Sequence, residues 1–203
     1  MAAGTDAGER KAWETLATLK TADVCRAAAV SYDAAHEHYT VRSFGQNILV
    51  STRERIVSVP SLVPGGLSGE YGGLFSLAVL WYLVLAKDIV PTGRLICLDD
   101  VHGGAIFAKG SHVLPMEKVA ERYGNDREGF LKKGLAQGGE TLSLADAAVR
   151  LLPLPRVPVT MTLWLADEEF PARADILFDS TCGLQLPTDI LWSLARVSCI
   201  SLL

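Results

Sequence analysis

One apolar segment constrains the fold of this chain more than any other feature: LFSLAVLWYLVLA, from Leu74 to Ala86. The segment is thirteen residues long, and Ser76 is its single polar residue apart from the tyrosine hydroxyl. A helix that spans a membrane needs about 20 apolar residues, so this segment is too short to cross one. A helix that is apolar on every side is normally buried in a core. We therefore predict a helix from Leu74 to Lys87 at the centre of a soluble domain.

The composition is that of an ordinary globular protein, with 49% apolar and 21% charged residues in a chain of 203. A chain of this length can bury a core without disulfides or a structural metal. The net charge is −4 and Lys and Arg form no cluster, so we expect no nucleic-acid binding, which requires a basic face. Residues 1–20 contain no apolar stretch of the signal-peptide type, so we predict a cytoplasmic protein that does not associate with membranes.

The hydrophobic pattern predicts a mixture of helices and strands. Helical periodicity covers residues 7–30 and recurs after Pro115, Asp126 and Pro187, while strand-like segments lie at 39–59, 94–98, 159–165 and 174–178. Because these elements do not alternate in a regular βαβ rhythm, we predict an α+β fold, with a mixed or antiparallel sheet packed against helices in a single compact domain.

The most distinctive segment is acidic: WLADEEFPARADILFDSTCGLQLPTD, from Trp164 to Asp189. If two strands pair across the FPARA turn with Glu169 opposite Asp175, several carboxylates share one face, because side chains alternate along a strand. Opposed like charges repel, so such a face needs a cation, a guanidinium such as that of Arg173, a raised pKa or open water. Oxygen ligands alone would suit Mg²⁺ or Ca²⁺. The alternative is that these acids are solvated and cap turns. The predicted face holds Asp167, Glu169, Asp175 and Asp179.

A second candidate segment is glycine-rich: GGAIFAKGSHVLP, from Gly103 to Pro115, which precedes a predicted helix. A loop of this kind can present backbone N–H groups to an anion. Lys109, Ser111 and His112 add side-chain donors. His112 is either a base or metal ligand, or a loop histidine with a structural hydrogen bond, and the sequence leaves both open.

The indole of Trp164 completes the set of candidates, as an aromatic residue that either lines a pocket or packs in the core. No GxSxG motif and no Ser/His/Asp order identifies a catalytic nucleophile, so no catalytic residue and no metal is assigned. The predicted ligand-binding residues are His112, Trp164, Asp167, Glu168, Glu169, Asp175 and Asp179.

The four cysteines are widely and irregularly spaced, at Cys25, Cys97, Cys182 and Cys199. No CxxC pair exists among them, which excludes the usual zinc and iron–sulfur motifs. We predict free thiols and no iron–sulfur cluster in this chain; the sequence assigns no other cofactor.

From Leu154 to Leu194 the sequence resembles the C-terminal signature of an uncharacterised prokaryotic family, a domain of unknown function. VPTGR at Val90, GGAIFAKGSH at Gly103, YGNDREGF and LAQGG fit the same pattern. The resemblance implies a family-like core at residues 39–195, between a helical N-terminal segment at 1–38 and a C-terminal tail at 196–203. Members of the family are often labelled iron–sulfur proteins, a label from which this chain departs because it lacks clustered cysteines. The resemblance implies a redox or cofactor pathway of an anaerobe.

Two classes of function follow. The favoured one is an accessory or binding module that recognises a small-molecule ligand or a redox protein partner, because no nucleophile–base pair is recognisable. The alternative is a hydrolase or lyase that uses His112 with the acidic cluster Asp167–Asp179. Convergence of His112 and these acids in one cleft would favour the enzyme.

Overall fold

The computed structural model describes residues 2–58, 70–104 and 113–203. Within these ranges the helices are α1 (Ala2–Leu16), α2 (Thr21–Ala28), α3 (Glu70–Leu85), α4 (Met116–Tyr123), α5 (Arg127–Ala136), α6 (Cys182–Gln185) and α7 (Thr188–Leu202). The strands are β1 (Ser31–Asp33), β2 (His38–Ser43), β3 (Gln46–Ser51), β4 (Ile56–Val57), β5 (Leu95–Ile96), β6 (Glu140–Leu142), β7 (Ala147–Leu154), β8 (Val157–Trp164) and β9 (Arg173–Asp179).

The strands form two antiparallel sheets. The first has the order β1-β2-β3-β4, and the second has the order β5-β9-β8-β7-β6. Helices pack against these sheets, and the predicted α+β fold is confirmed.

Two apolar helices, α3 and α7, pack together in the core. Phe75, Leu80 and Tyr82 of α3 are fully buried, as predicted for the apolar segment. The helix α7 does not end near residue 196, where the sequence suggested a tail, but runs to Leu202 with Cys199 and Leu202 buried. No helix in the described ranges is long and apolar enough to cross a membrane.

One face of the second sheet is buried, and the other borders a groove. On the buried face, Val149, Met161 and Phe178 occupy successive strands and are fully buried. The helix α5 lies against this face, where Gly134 comes so close to Val149 that an added Cβ would lie 2.5 Å from its side chain. Side chains alternate between faces, so the neighbouring residues of β8 and β9 point to the opposite side.

The strand β7 was not predicted from the sequence, where the prolines at 153, 155 and 158 argue only against a helix. Pro153 lies where the β7–β8 pairing shifts register, between Leu151 and Leu154. A shift of this kind leaves a residue outside the hydrogen-bonded ladder, which is where proline is tolerated in a sheet.

The two sheets meet at a junction made of backbone. The predicted strand-like segment at 39–59 is divided at Gly45, which lies in the tight turn between β2 and β3 with a φ of +71°. The backbone N–H of Phe44 donates to the carbonyl of Leu152 at 2.8 Å. Gly138, with a φ of +67°, faces Gly45 so closely that a Cβ on it would lie 2.5 Å from the Gly45 Cα. The turn therefore meets the second sheet mainly through backbone atoms, and the hydroxyl of Ser43 adds a 2.7 Å hydrogen bond to the carbonyl of Pro153.

Candidate functional site

The hairpin predicted across the FPARA segment exists, but its predicted register was wrong. Asp175 lies opposite Thr162, not opposite Glu169, and Arg173 lies opposite Trp164. The strands end at Trp164 and Arg173, and residues 165–172 form the connection between them. The pairing is therefore displaced by seven residues from the predicted one, and the acids do not face one another across the hairpin.

The acids Asp167, Glu168 and Glu169 lie in this connecting loop and are exposed. The carboxylate of Asp167 accepts hydrogen bonds from the backbone N–H of Glu169 at 2.8 Å and of Phe170 at 2.7 Å. Short acidic side chains commonly stabilise turns in this way. These three acids fit the turn-capping alternative and do not form a cluster with the acids of β9.

Asp179, at the far end of β9, is 2% exposed and accepts hydrogen bonds within the fold. Its donors are the backbone N–H groups of Gly93 (2.6 Å) and Thr181 (3.0 Å) and the hydroxyls of Thr181 (2.7 Å) and Thr92 (3.3 Å). Burial raises the pKa of this carboxyl, but the hydrogen bonds from Thr181 and the 92–93 turn outweigh burial and hold the pKa below its ordinary value. The carboxylate of Asp179 therefore stabilises the turn at residues 92–93 and the start of the segment after β9.

Trp164 and Asp175 line a groove of about 890 Å³ beside β8 and β9, which we call the Trp164 groove. The register places both on one face of the sheet, together with Thr162 and Arg173. The opposite walls come from residues 95–99 and 113–117, and the turn at residues 144–145 adds a third side. The lining is mostly apolar, with leucine its most frequent residue, and includes a few polar groups; Trp164 is 43% exposed.

A guanidinium contacts both the indole and one of the carboxylates of the Trp164 groove. Arg173 lies over the indole of Trp164, with its Cζ 5.6 Å from the ring centroid, and its Nη2 lies 3.2 Å from the carboxylate of Asp175. The side chains of Arg173 and Asp175 are 65% and 44% exposed. Both contacts therefore lie in a solvent-accessible part of the groove.

Acidic groups outnumber basic ones along the described lining of this groove, where Asp99, Glu117 and Asp175 accompany Arg173. Nearby acids also affect the pKa of the Cys97 thiol. Burial raises its pKa first, and the negative charges of Asp100, Asp99 and Asp175 raise it further. The raised pKa keeps this thiol protonated near neutral pH, so it is not an activated nucleophile.

His112 lies outside the described residues, so its position relative to the acids stays a prediction. Among the described histidines, His36 donates a 2.7 Å hydrogen bond from Nδ1 to the carboxylate of Asp33, and its side chain is largely exposed. No group of three or more His, Cys, Asp or Glu side chains within the described ranges could hold a metal ion. The thiols of Cys25, Cys97, Cys182 and Cys199 are all unpaired by disulfides.

Of the seven predicted site residues, the structure brings Trp164 and Asp175 together in one groove. Sequence reasoning missed Thr162 and Cys97 as lining residues, and it assigned Arg173 to the turn. The alternation of Thr160, Thr162 and Trp164 in an otherwise apolar strand was the signal that could have found this face.

Comparison with protein families identifies the family of this chain. A family model described as Domain of unknown function (DUF3786) matches residues 20–200. This chain belongs to that family. The match covers every described lining residue of the Trp164 groove, and it confirms the resemblance to a domain of unknown function. No curated protein and no solved structure matches the DUF3786 chain.

Proposed function

We propose that this protein is a binding module that holds a small molecule in the Trp164 groove. The observation that carries this proposal is the half-exposed indole of Trp164 in a mostly apolar groove of about 890 Å³. Small-molecule sites are typically clefts of roughly 300–1,000 Å³ with apolar walls and a few polar groups that orient the ligand. An aromatic face left accessible within such a cleft supplies contact area for a flat ligand.

Binding fits the groove better than catalysis. Its one thiol, Cys97, has a raised pKa, and its described lining contains no histidine that could act as a base. The hydrolase or lyase alternative relies on His112 together with Asp167–Asp179, and the described members of that set are spread over a loop, the groove and a buried turn. No observation on the described residues favours this alternative.

The proposal extends to a cytoplasmic protein that serves a cofactor or redox pathway of an anaerobe, either by holding a small molecule or by meeting a redox partner. The sequence resemblance supports this setting, and the absence of a cysteine motif supports a module that carries no cluster of its own.

A fragment screen by ¹H–¹⁵N NMR tests the groove, because a chain of 21.8 kDa is suitable for it. We expect flat fragments such as indole and benzamide to shift backbone signals of Thr162, Trp164 and Leu177. Leu144→Arg should narrow the groove and weaken this binding.

Leu152→Arg is the matched control, because Leu144 and Leu152 are 39% and 41% exposed and only Leu144 lines the groove. The proposal fails if fragments shift other regions, or if the two variants weaken binding equally.

A further inference from the structure

The free protein already holds a cation in the lining of the Trp164 groove, over its indole. The guanidinium of Arg173 lies over the Trp164 indole and beside the Asp175 carboxylate, at 5.6 Å and 3.2 Å respectively. The sheet register sets both contacts, because Arg173 lies opposite Trp164 and Asp175 follows two residues later on the same face. An aromatic face with an adjacent carboxylate is the arrangement that recognises organic cations.

This internal cation is held weakly enough to leave. Its side chain is 65% exposed, and Asp175 is 44% exposed. Exposed ion pairs contribute little to stability because water screens them and both side chains lose freedom. A ligand that brings its own cation can therefore take the place of the guanidinium at low cost.

The charge of the groove favours such an exchange. Once Arg173 swings away, the remaining charged lining residues in the described ranges are the acids Asp99, Glu117 and Asp175. Leucines of the walls, among them Leu98 and Leu114, would contact the flat body of a ligand.

The geometry points to a flat organic cation of the amidinium, guanidinium or arylammonium class as the ligand of the Trp164 groove, with Arg173 as its internal placeholder. This inference rests on the proposed function, and it adds the ligand's charge and the side chain that it displaces. Binding exchanges one cation for another on Trp164 and Asp175, so the carboxylate of Asp175 stays paired.

Three probes of similar shape show which ligand charge the groove prefers: benzamidine (cationic), benzamide (neutral) and benzoate (anionic). We expect benzamidine to bind the wild-type protein more tightly than benzamide, and benzoate to bind least. Arg173→Met, which keeps an unbranched apolar stem, should tighten benzamidine binding by about 3- to 10-fold, the range of one exposed cation–π and ion-pair contact. Asp175→Asn should weaken benzamidine by a similar factor and leave benzamide within about 2-fold.

Arg122→Met is the control for a general change in charge. Arg122 also lies over an aromatic ring, 5.3 Å from the centroid of Tyr123, but it does not line the groove. A direct readout is the Arg173 Nε–H signal, which the indole ring current shifts in the free protein. Saturating benzamidine should move this signal toward its solvent-exposed position.

Tighter benzoate binding than benzamidine binding, with loss of that binding in Arg173→Met, would show that Arg173 recognises an anion and would overturn the inference. Equal effects of Arg173→Met and Arg122→Met would also overturn it. In either case, groove binding that is blocked by Leu144→Arg and retained in Leu152→Arg would leave the proposed function standing. If none of the probes occupies the groove, the proposed function itself falls.

Discussion

Replacing Asp179 tests whether this buried acid stabilises the fold, in contrast to Asp175, which lies on the same strand and lines the groove. In Asp179→Ala the backbone N–H of Thr181, a residue that is 6% exposed, loses its acceptor, while the N–H of Gly93 can turn to water. A buried donor without an acceptor costs about 1–3 kcal/mol, and each further hydrogen bond contributes about 0.5–1.5 kcal/mol. We therefore expect Asp179→Ala to lower the free energy of unfolding by about 2–4 kcal/mol.

Urea denaturation followed by far-UV circular dichroism measures this free energy for a chain of this size. Asp175→Ala is the matched control, because it removes a carboxylate from the same strand and the same face, where the ion pair with Arg173 is exposed. It should cost less than about 1 kcal/mol. If Asp179→Ala does not fold, Asp179→Asn, which keeps one acceptor oxygen, should give an intermediate loss. Equal, small losses in the Asp179 and Asp175 variants would refute the assignment of Asp179 to the turn.

The pH dependence provides a second check. The hydrogen bonds hold the pKa of Asp179 below its ordinary value of about 3.9, so its stabilising contribution is fully present above that pH. It is lost as the pH falls through the lower pKa of the folded state. The difference in unfolding free energy between wild type and Asp179→Asn should therefore be constant near neutral pH and shrink below about pH 4.

Three further predictions concern the core, the sheet junction and the thiols. Leu80→Asp should prevent soluble folding, since Leu80 is fully buried in α3; a cooperative melt near the wild-type temperature would contradict this. Gly138→Ala should cost about 2–4 kcal/mol in urea denaturation, because a left-handed φ and a close backbone act together. Gly93→Ala, with a φ of +79° but no described atom within 4 Å of the added Cβ, should cost less. Anaerobic reconstitution with iron and sulfide should leave no stoichiometric cluster, since the four cysteines form no motif; an iron and sulfide assay that finds one would show otherwise.

Local signals predicted the helices well. The apolar segment of α3 can be recognised from its own sequence. A helix was also predicted after Asp126, and Asp126 caps α5 by accepting a hydrogen bond from the N–H of Gly129. The register of the β8–β9 hairpin could not be predicted from local sequence signals. Pro171 and the small residues around it are typical of a tight turn, but eight residues separate Trp164, the last residue of β8, from Arg173, the first residue of β9. Where a strand ends depends on its pairing and packing partners, which the local sequence does not specify.

The same limit explains the candidate site. Sequence reasoning identified the acids of this region but grouped them by proximity along the chain, which placed Asp167 and Asp179 with Asp175. The structure assigns them to a loop, a buried turn and a groove. The number of acidic residues in the segment cannot distinguish these three environments, because they depend on which backbone N–H groups each carboxylate contacts.

The contact between Gly45 and Gly138 limits how the sequence of this family can vary. In most packed interiors a larger side chain at one position can be compensated by a smaller one opposite. Here neither residue has a side chain to give up, and each would place a Cβ within 3 Å of the other's Cα. A change at either position therefore has no partner change that restores the fit. We expect homologues that keep this junction to retain both glycines together, and homologues that lose one to alter the loop itself.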